Sequence, residues 1–109
     1  MKASWVGIAA ATALMFAGQA SAADVEAGKA FFNKSVCKGC HGVDYEGFGP
    51  SLRDVGAKYA GDAGAKESLI NKVKNGTKGT WGGNTMPPQK GTVSDADISN
   101  AVDYILSLK

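Results

Sequence analysis

Both cysteines and the only histidine of this 109-residue chain fall within five consecutive positions, Cys37-Lys38-Gly39-Cys40-His41. A chain of this length makes one domain with a modest core, and such domains commonly lean on disulfides, a metal or another internal support. Whatever supports this one is organised around that pentapeptide, because it holds every thiol and the imidazole.

The pattern is C-x-x-C-H, which reads as an attachment site for c-type haem. Two thiols three positions apart can each add to one of the two vinyl groups on a porphyrin edge. The imidazole that follows the second thiol then falls beneath the ring, where it can bind iron. Three other readings compete. A thioredoxin-like dithiol sits beside a βαβ pattern, which this sequence lacks. A structural zinc site takes four ligands, whereas the chain offers three thiol or imidazole donors. A plain Cys37–Cys40 disulfide leaves His41 without a task. The haem reading employs all three side chains, so the expected cofactor is one haem c with its iron, attached through Cys37 and Cys40.

The first residues read as an export signal. Met1-Lys2 gives a positive start, Trp5 to Gly18 is uncharged and mostly apolar, and Gln19-Ala20-Ser21-Ala22 supplies the small residues a signal peptidase cuts after. The apolar run is shorter than the roughly 20 residues that span a bilayer. Residues 1–22 are therefore expected to be a cleaved signal peptide and residues 23–109 the domain, placed in a bacterial periplasm with no stable membrane insertion. Export agrees with the motif, since bacteria attach c-type haem after translocation. Loss of Lys2 takes the formal charge one unit below the +2 of the full chain, far from the basic stripe of a nucleic-acid binder. Met1 and Met15 leave as well, so Met86 becomes the single methionine.

Beyond the signal the sequence reads as all-α, about four helices joined by glycine-rich connections, with no convincing strand pattern. The first is expected from Asp24, as N-cap, to Lys34, with Val25, Gly28, Phe31 and Phe32 at helical spacing. A short one follows Gly49-Pro50-Ser51, from Leu52 to Tyr59. The third covers Ala65 to Asn75 and stops at Gly76. The fourth opens on the capping box Ser94-Asp95-Ala96-Asp97 and carries the apolar stripe Ile98, Ala101, Val102, Ile105 and Leu108, with Val93 as half of a hydrophobic staple. These periodicities describe core packing and say nothing of chemistry. Between the last two helices, Gly76 to Val93 is long for a structureless loop in so small a domain.

Met86 lies in that loop, followed by Pro87-Pro88. A lone methionine is usually a core gap-filler. Here it sits in a polar, glycine-rich stretch that two prolines stiffen, which suits it to hold a thioether on the iron opposite His41. His/Met coordination raises the reduction potential.

With these pieces in place the sequence resembles the bacterial class I cytochromes c, of the small c-551 (c8) type, over essentially all of residues 23–109. The resemblance rests on the C-x-x-C-H run, Gly49-Pro50, the Lys74-Asn75-Gly76 helix end, Trp81-Gly82 and Met86-Pro87-Pro88. It implies a class I cytochrome c fold and site residues Cys37, Cys40, His41, Met86, Pro50, Trp81 and Lys72. His41 and Met86 are the implied metal ligands, and Pro50 offers its carbonyl to the His41 Nδ1–H. Trp81 is implied to place its indole N–H on a haem propionate, with a core aromatic as the plainer reading. Lys72 stands where the family often has arginine, and Phe32 and Tyr104 are implied to meet where the first and last helices cross. Thr85 departs from the usual proline and Gln89 from the usual asparagine.

The resemblance further implies outer-sphere electron transfer, not catalysis, by a monomer. Its partners are redox proteins: a donor such as a cytochrome bc1 complex or dehydrogenase, and an acceptor such as a terminal oxidase or nitrite reductase. Lys34, Lys38, Lys78 and Lys90 can ring the exposed haem edge and steer acidic partners, or be ordinary solvated lysines. A gas sensor would have Met86 displaced, and a peroxidase would use distal acid–base groups, for which there is no second histidine.

Overall fold

A computed structural model describes residues 21–108; nearly all of the expected signal peptide lies outside the described residues. Four α-helices and a short two-stranded ribbon make up the described residues, with one 3₁₀ turn. Helix α1 spans Ala22–Asn33, α2 Leu52–Lys58, α3 Ala65–Asn75 and α4 Asp95–Ser107. Strands β1 (Thr77–Lys78) and β2 (Thr85–Met86) pair antiparallel, Thr77 opposite Met86 and Lys78 opposite Thr85. None of the described helices is long and apolar enough to cross a membrane.

Three helices start on serines. Ser21, Ser51 and Ser94 accept the backbone N–H of Asp24, Asp54 and Asp97 at 3.1, 3.0 and 3.1 Å. Each satisfies one of the donors a helix leaves unpaired at its first turn. For α1 this corrects the expected cap: Asp24 is the residue being capped and Ser21 caps it, because the Ser21 hydroxyl stands three positions ahead, the spacing the motif needs. Helix α3 has no side-chain cap. It stops at Gly76, whose φ of 82° is cheap only for glycine.

Helix α4 is the element against which α1, α2 and α3 all pack. Ile98 and Val102 on its inner face are 1% and 0% exposed and meet Val55 and Leu69, with Val93 closing the edge as the staple position suggests. Burying such a side chain stabilises a fold by about 1.5–3 kcal/mol. On the adjoining side, Phe32 and Tyr104 face each other with ring centroids 6.3 Å apart, and Leu52 completes that cluster. Helix α1 comes this close because Gly28 has no side chain. A Cβ there would overlap the Asn100 carbonyl and stand 2.9 Å from Tyr104 Cβ.

The ribbon is the element the sequence did not announce. Two residues per strand are too few to show the alternation that marks a strand. Among the described residues five glycines have positive φ, and Gly76 and Gly79 flank β1 while Gly82 lies before β2.

Candidate functional site

Helices and ribbon enclose an apolar cleft of about 1240 Å³, counted out to its open mouth. Its inner surface is made by core side chains such as Phe32, Leu52, Leu69 and Val102. Cys37, Cys40, His41, Pro50, Lys72, Trp81 and Met86, the seven residues singled out from the sequence, all line it.

The cysteine side is built locally. Ser35 donates its hydroxyl to the Phe32 carbonyl at the end of α1 and accepts the Cys37 N–H, both at 3.2 Å, starting a 3₁₀ turn over Val36–Gly39. The Cys40 and His41 amides both return to the Cys37 carbonyl, at 3.2 and 3.0 Å. This winds the two thiols and the imidazole onto one turn. No disulfide joins Cys37 and Cys40. Among the described residues no group of three or more His, Cys, Asp or Glu side chains converges to hold a metal ion, so no zinc-type cluster is present.

The imidazole is pinned twice. Its Nδ1 stands 2.7 Å from the Pro50 carbonyl oxygen. A carbonyl oxygen can only accept, so Nδ1 carries a proton, and in the neutral ring this tautomer leaves the lone pair on Nε2. The Gly49 backbone lies flat against the ring: a Cβ there would come within 2.5 Å of His41 Cε1 and 2.9 Å of Nδ1. The loop that presents these groups is itself tied down. Gly49 N–H donates to the Cys40 carbonyl at 2.9 Å, and Leu52 and Arg53 amides donate to Gly42 and Val43. Arg53 also donates to Asp44 at 2.6 Å, and that hydrogen bond and charge raise the already high guanidinium pKa.

The methionine side is built from α3. Met86 pairs with Thr77 just beyond the helix, and the Gln89 and Lys90 amides donate to the Val73 and Lys74 carbonyls at 3.0 and 3.1 Å. Chain on both sides of Met86 is therefore fastened to the C-terminal end of one helix. Gly76 permits it, since a Cβ there would lie 2.8 Å from the Met86 carbonyl. The Gln89 carboxamide donates to the Pro87 carbonyl at 3.0 Å, bracing the turn after Met86. Trp81 is 41% exposed, so the plainer reading of it as a core aromatic is corrected; it sits at the rim with Lys58 Nζ 5.2 Å from its ring centre.

An apolar cleft bearing two adjacent thiols, an imidazole whose Nε2 lone pair is free and a thioether is chemically matched to a haem attached by thioethers. A soft sulfur and an imidazole nitrogen suit iron, and the lining keeps water away. The cleft and its donors thus define a small helical domain of the covalent haem-binding class.

Comparison with known proteins agrees. The cytochrome c family model matches residues 25–109. Cytochrome c-552 of Nitrosomonas europaea is 44% identical over 109 residues, the full length of both chains. Cytochrome c-551 of Pseudomonas aeruginosa is 39% identical over 91% of this chain and 90% of its own. The crystal structure of the wild-type Nitrosomonas europaea protein superposes with a TM-score of 0.68, covering 72% of this chain and 95% of that one. A class 1 cytochrome from Sideroxydans lithotrophicus gives 0.63 at 39% identity, over 78% and 96% of the two chains. The chain belongs to the class I cytochromes c, of the c-551/c-552 type. It is a small electron carrier rather than an enzyme, its cofactor is covalent haem c, and its partners are redox proteins.

Proposed function

We propose that the protein is a periplasmic carrier whose haem iron is held between His41 Nε2 and Met86 Sδ, passing single electrons between proteins of a respiratory chain. When bound, the haem supplies one-electron chemistry between ferrous and ferric iron. His41, fixed by Pro50 and Gly49, presents its nitrogen in one orientation, and the proton held on Nδ1 by the Pro50 carbonyl makes it a better donor. Met86 supplies the soft ligand that favours the reduced state. Because both ligands come from segments tied to helices, little has to rearrange between oxidation states. Trp81 and Lys72 are placed in this reading beside the propionates, as the family resemblance implies.

The single observation that carries the proposal is that a loop after α1 and a ribbon after α3 bring His41 and Met86 to one cleft, 45 positions apart in the sequence. Donor and acceptor are a dehydrogenase or cytochrome bc1 complex on one side and a terminal oxidase or nitrite reductase on the other. Export with cleavage after Ala22 belongs to the same reading, and the N-terminal residue of the secreted protein tests it. For the ligands the test is Met86→Ala in the haem-loaded protein. The far-red sulfur-to-iron band should vanish and the midpoint potential fall; an unchanged spectrum and potential would refute the coordination.

A further inference from the structure

The two loops of the cleft are joined by one side chain. Asn84 Nδ2 donates to the Phe48 carbonyl at 2.9 Å, linking positions 36 apart in the chain. Asn84 is two residues before Met86, and Phe48 is two residues before Pro50, whose own carbonyl holds His41. The contact therefore couples the segment that carries the thioether to the segment that orients the imidazole.

Its surroundings make it count. Downstream of Met86 the chain is fastened to α3 through Gln89 and Lys90. Upstream, the run Trp81-Gly82-Gly83-Asn84 contains two glycines, and all four residues are exposed. Among the described residues, the Asn84 contact is the one hydrogen bond that ties this run to another part of the chain. Neither Gly82 nor Gly83 would meet any neighbour with an added Cβ, so packing does not hold the two glycines between Trp81, which lies by Lys58, and Asn84. Phe48 is by contrast on a firm base: the amides of Gly47 and Gly49 on either side of it donate to the Gly49 and Cys40 carbonyls at 3.0 and 2.9 Å.

We propose that Asn84 is a positioning residue, a latch from the exposed hairpin loop ahead of Met86 to the fixed His41 loop, which adds to the two-residue ladder and limits how often the sulfur leaves the iron. This rests on the reading of Met86 as a ligand. A carboxamide suits the task because it donates a directional hydrogen bond at a wet rim without adding charge. A single neutral hydrogen bond is modest in energy, so the latch adjusts an equilibrium between closed and open forms rather than deciding the fold.

The test uses imidazole as a competing ligand for the ferric, haem-loaded protein. Asn84→Ala should bind it about three- to tenfold more tightly than the parent, the range open to one such bond. Asn84→Asp places a carboxylate against the Phe48 carbonyl and should bind it at least as tightly as the alanine variant. Amide hydrogen exchange in the Thr85–Met86 and Thr77–Lys78 ladder should quicken in both. Equal imidazole affinity and equal exchange in all three proteins would overturn the latch. The underlying reading fails separately: if Met86→Ala binds imidazole no more tightly than the parent and keeps its far-red absorption, Met86 is not the ligand.

Discussion

Gly28→Ala is the sharpest test of how tightly the cleft wall is closed. In isolation the change favours the helix, by about 1 kcal/mol for an interior position. In this fold the new methyl would stand 2.5 Å from the Asn100 carbonyl carbon and 2.9 Å from Tyr104 Cβ, where carbon atoms normally rest about 3.5–4.0 Å apart. The obstacle is backbone, which cannot swing away, so α1 and α4 must part by about 1 Å at their crossing. Overpacking of this kind costs about 3 kcal/mol at the upper end of its range, leaving a net loss of about 2 kcal/mol after the helix gain. A domain of this size loses about 4–8 °C per kcal/mol, so its melting temperature should fall by about 8–16 °C. Gly39→Ala is the control, since nothing lies within 4 Å of a Cβ there. Thermal melts of both haem-loaded variants, followed by circular dichroism, make the comparison. If Gly28→Ala melts at or above the parent temperature, helix preference alone governs the site and the close crossing is wrong.

Gly49→Ala should push the His41 ring off the Pro50 carbonyl, costing about 1–3 kcal/mol; faster exchange of the imidazole N–H proton in NMR is the signature, and an unshifted, slowly exchanging proton would refute it. Lys66 holds the buried Asp103 carboxylate at 3.0 Å with its own side chain 43% exposed. Lys66→Met should therefore cost less than a fully buried pair, about 1–2 kcal/mol in urea unfolding, with part recovered by adding Asp103→Asn; strictly additive effects would show the pair to be idle. Exchanging Lys38 and Lys78 for glutamate should slow electron transfer to an acidic redox partner, most at low ionic strength. A rate that ignores both charge and salt would exclude steering.

What could be read beforehand follows from how far each signal reaches along the chain. The start of α4 was legible because Ser94 and Asp97 make their cap within one turn, and α3 ended at Gly76 as its glycine required. In the full chain α1 starts on the Ser21 hydroxyl, a residue that the proposed cleavage would discard, which is why the pattern from residue 23 onward offers Asp24 as the cap instead. Cys37, Cys40 and His41 are contiguous and declare their chemistry together. Met86 stands out only because the expected leader holds its two competitors and two prolines follow it. The ribbon, the Gly49 contact with the imidazole and the Asn84–Phe48 bond join residues through space with no periodic trace, so no pattern along the chain foretells them.

The two-residue ribbon has a consequence for how the domain comes apart. A ladder that short has no stability of its own, and the chain after Met86 loses its fastening when the last turn of α3 unwinds. The cysteine turn, once covalently joined to its cofactor, does not depend on that turn. The two walls therefore have different lifetimes. Under mild heating, a reagent that alkylates thioethers should reach Met86 well before the helical signal declines, marking the end of α3 as the first seam to open.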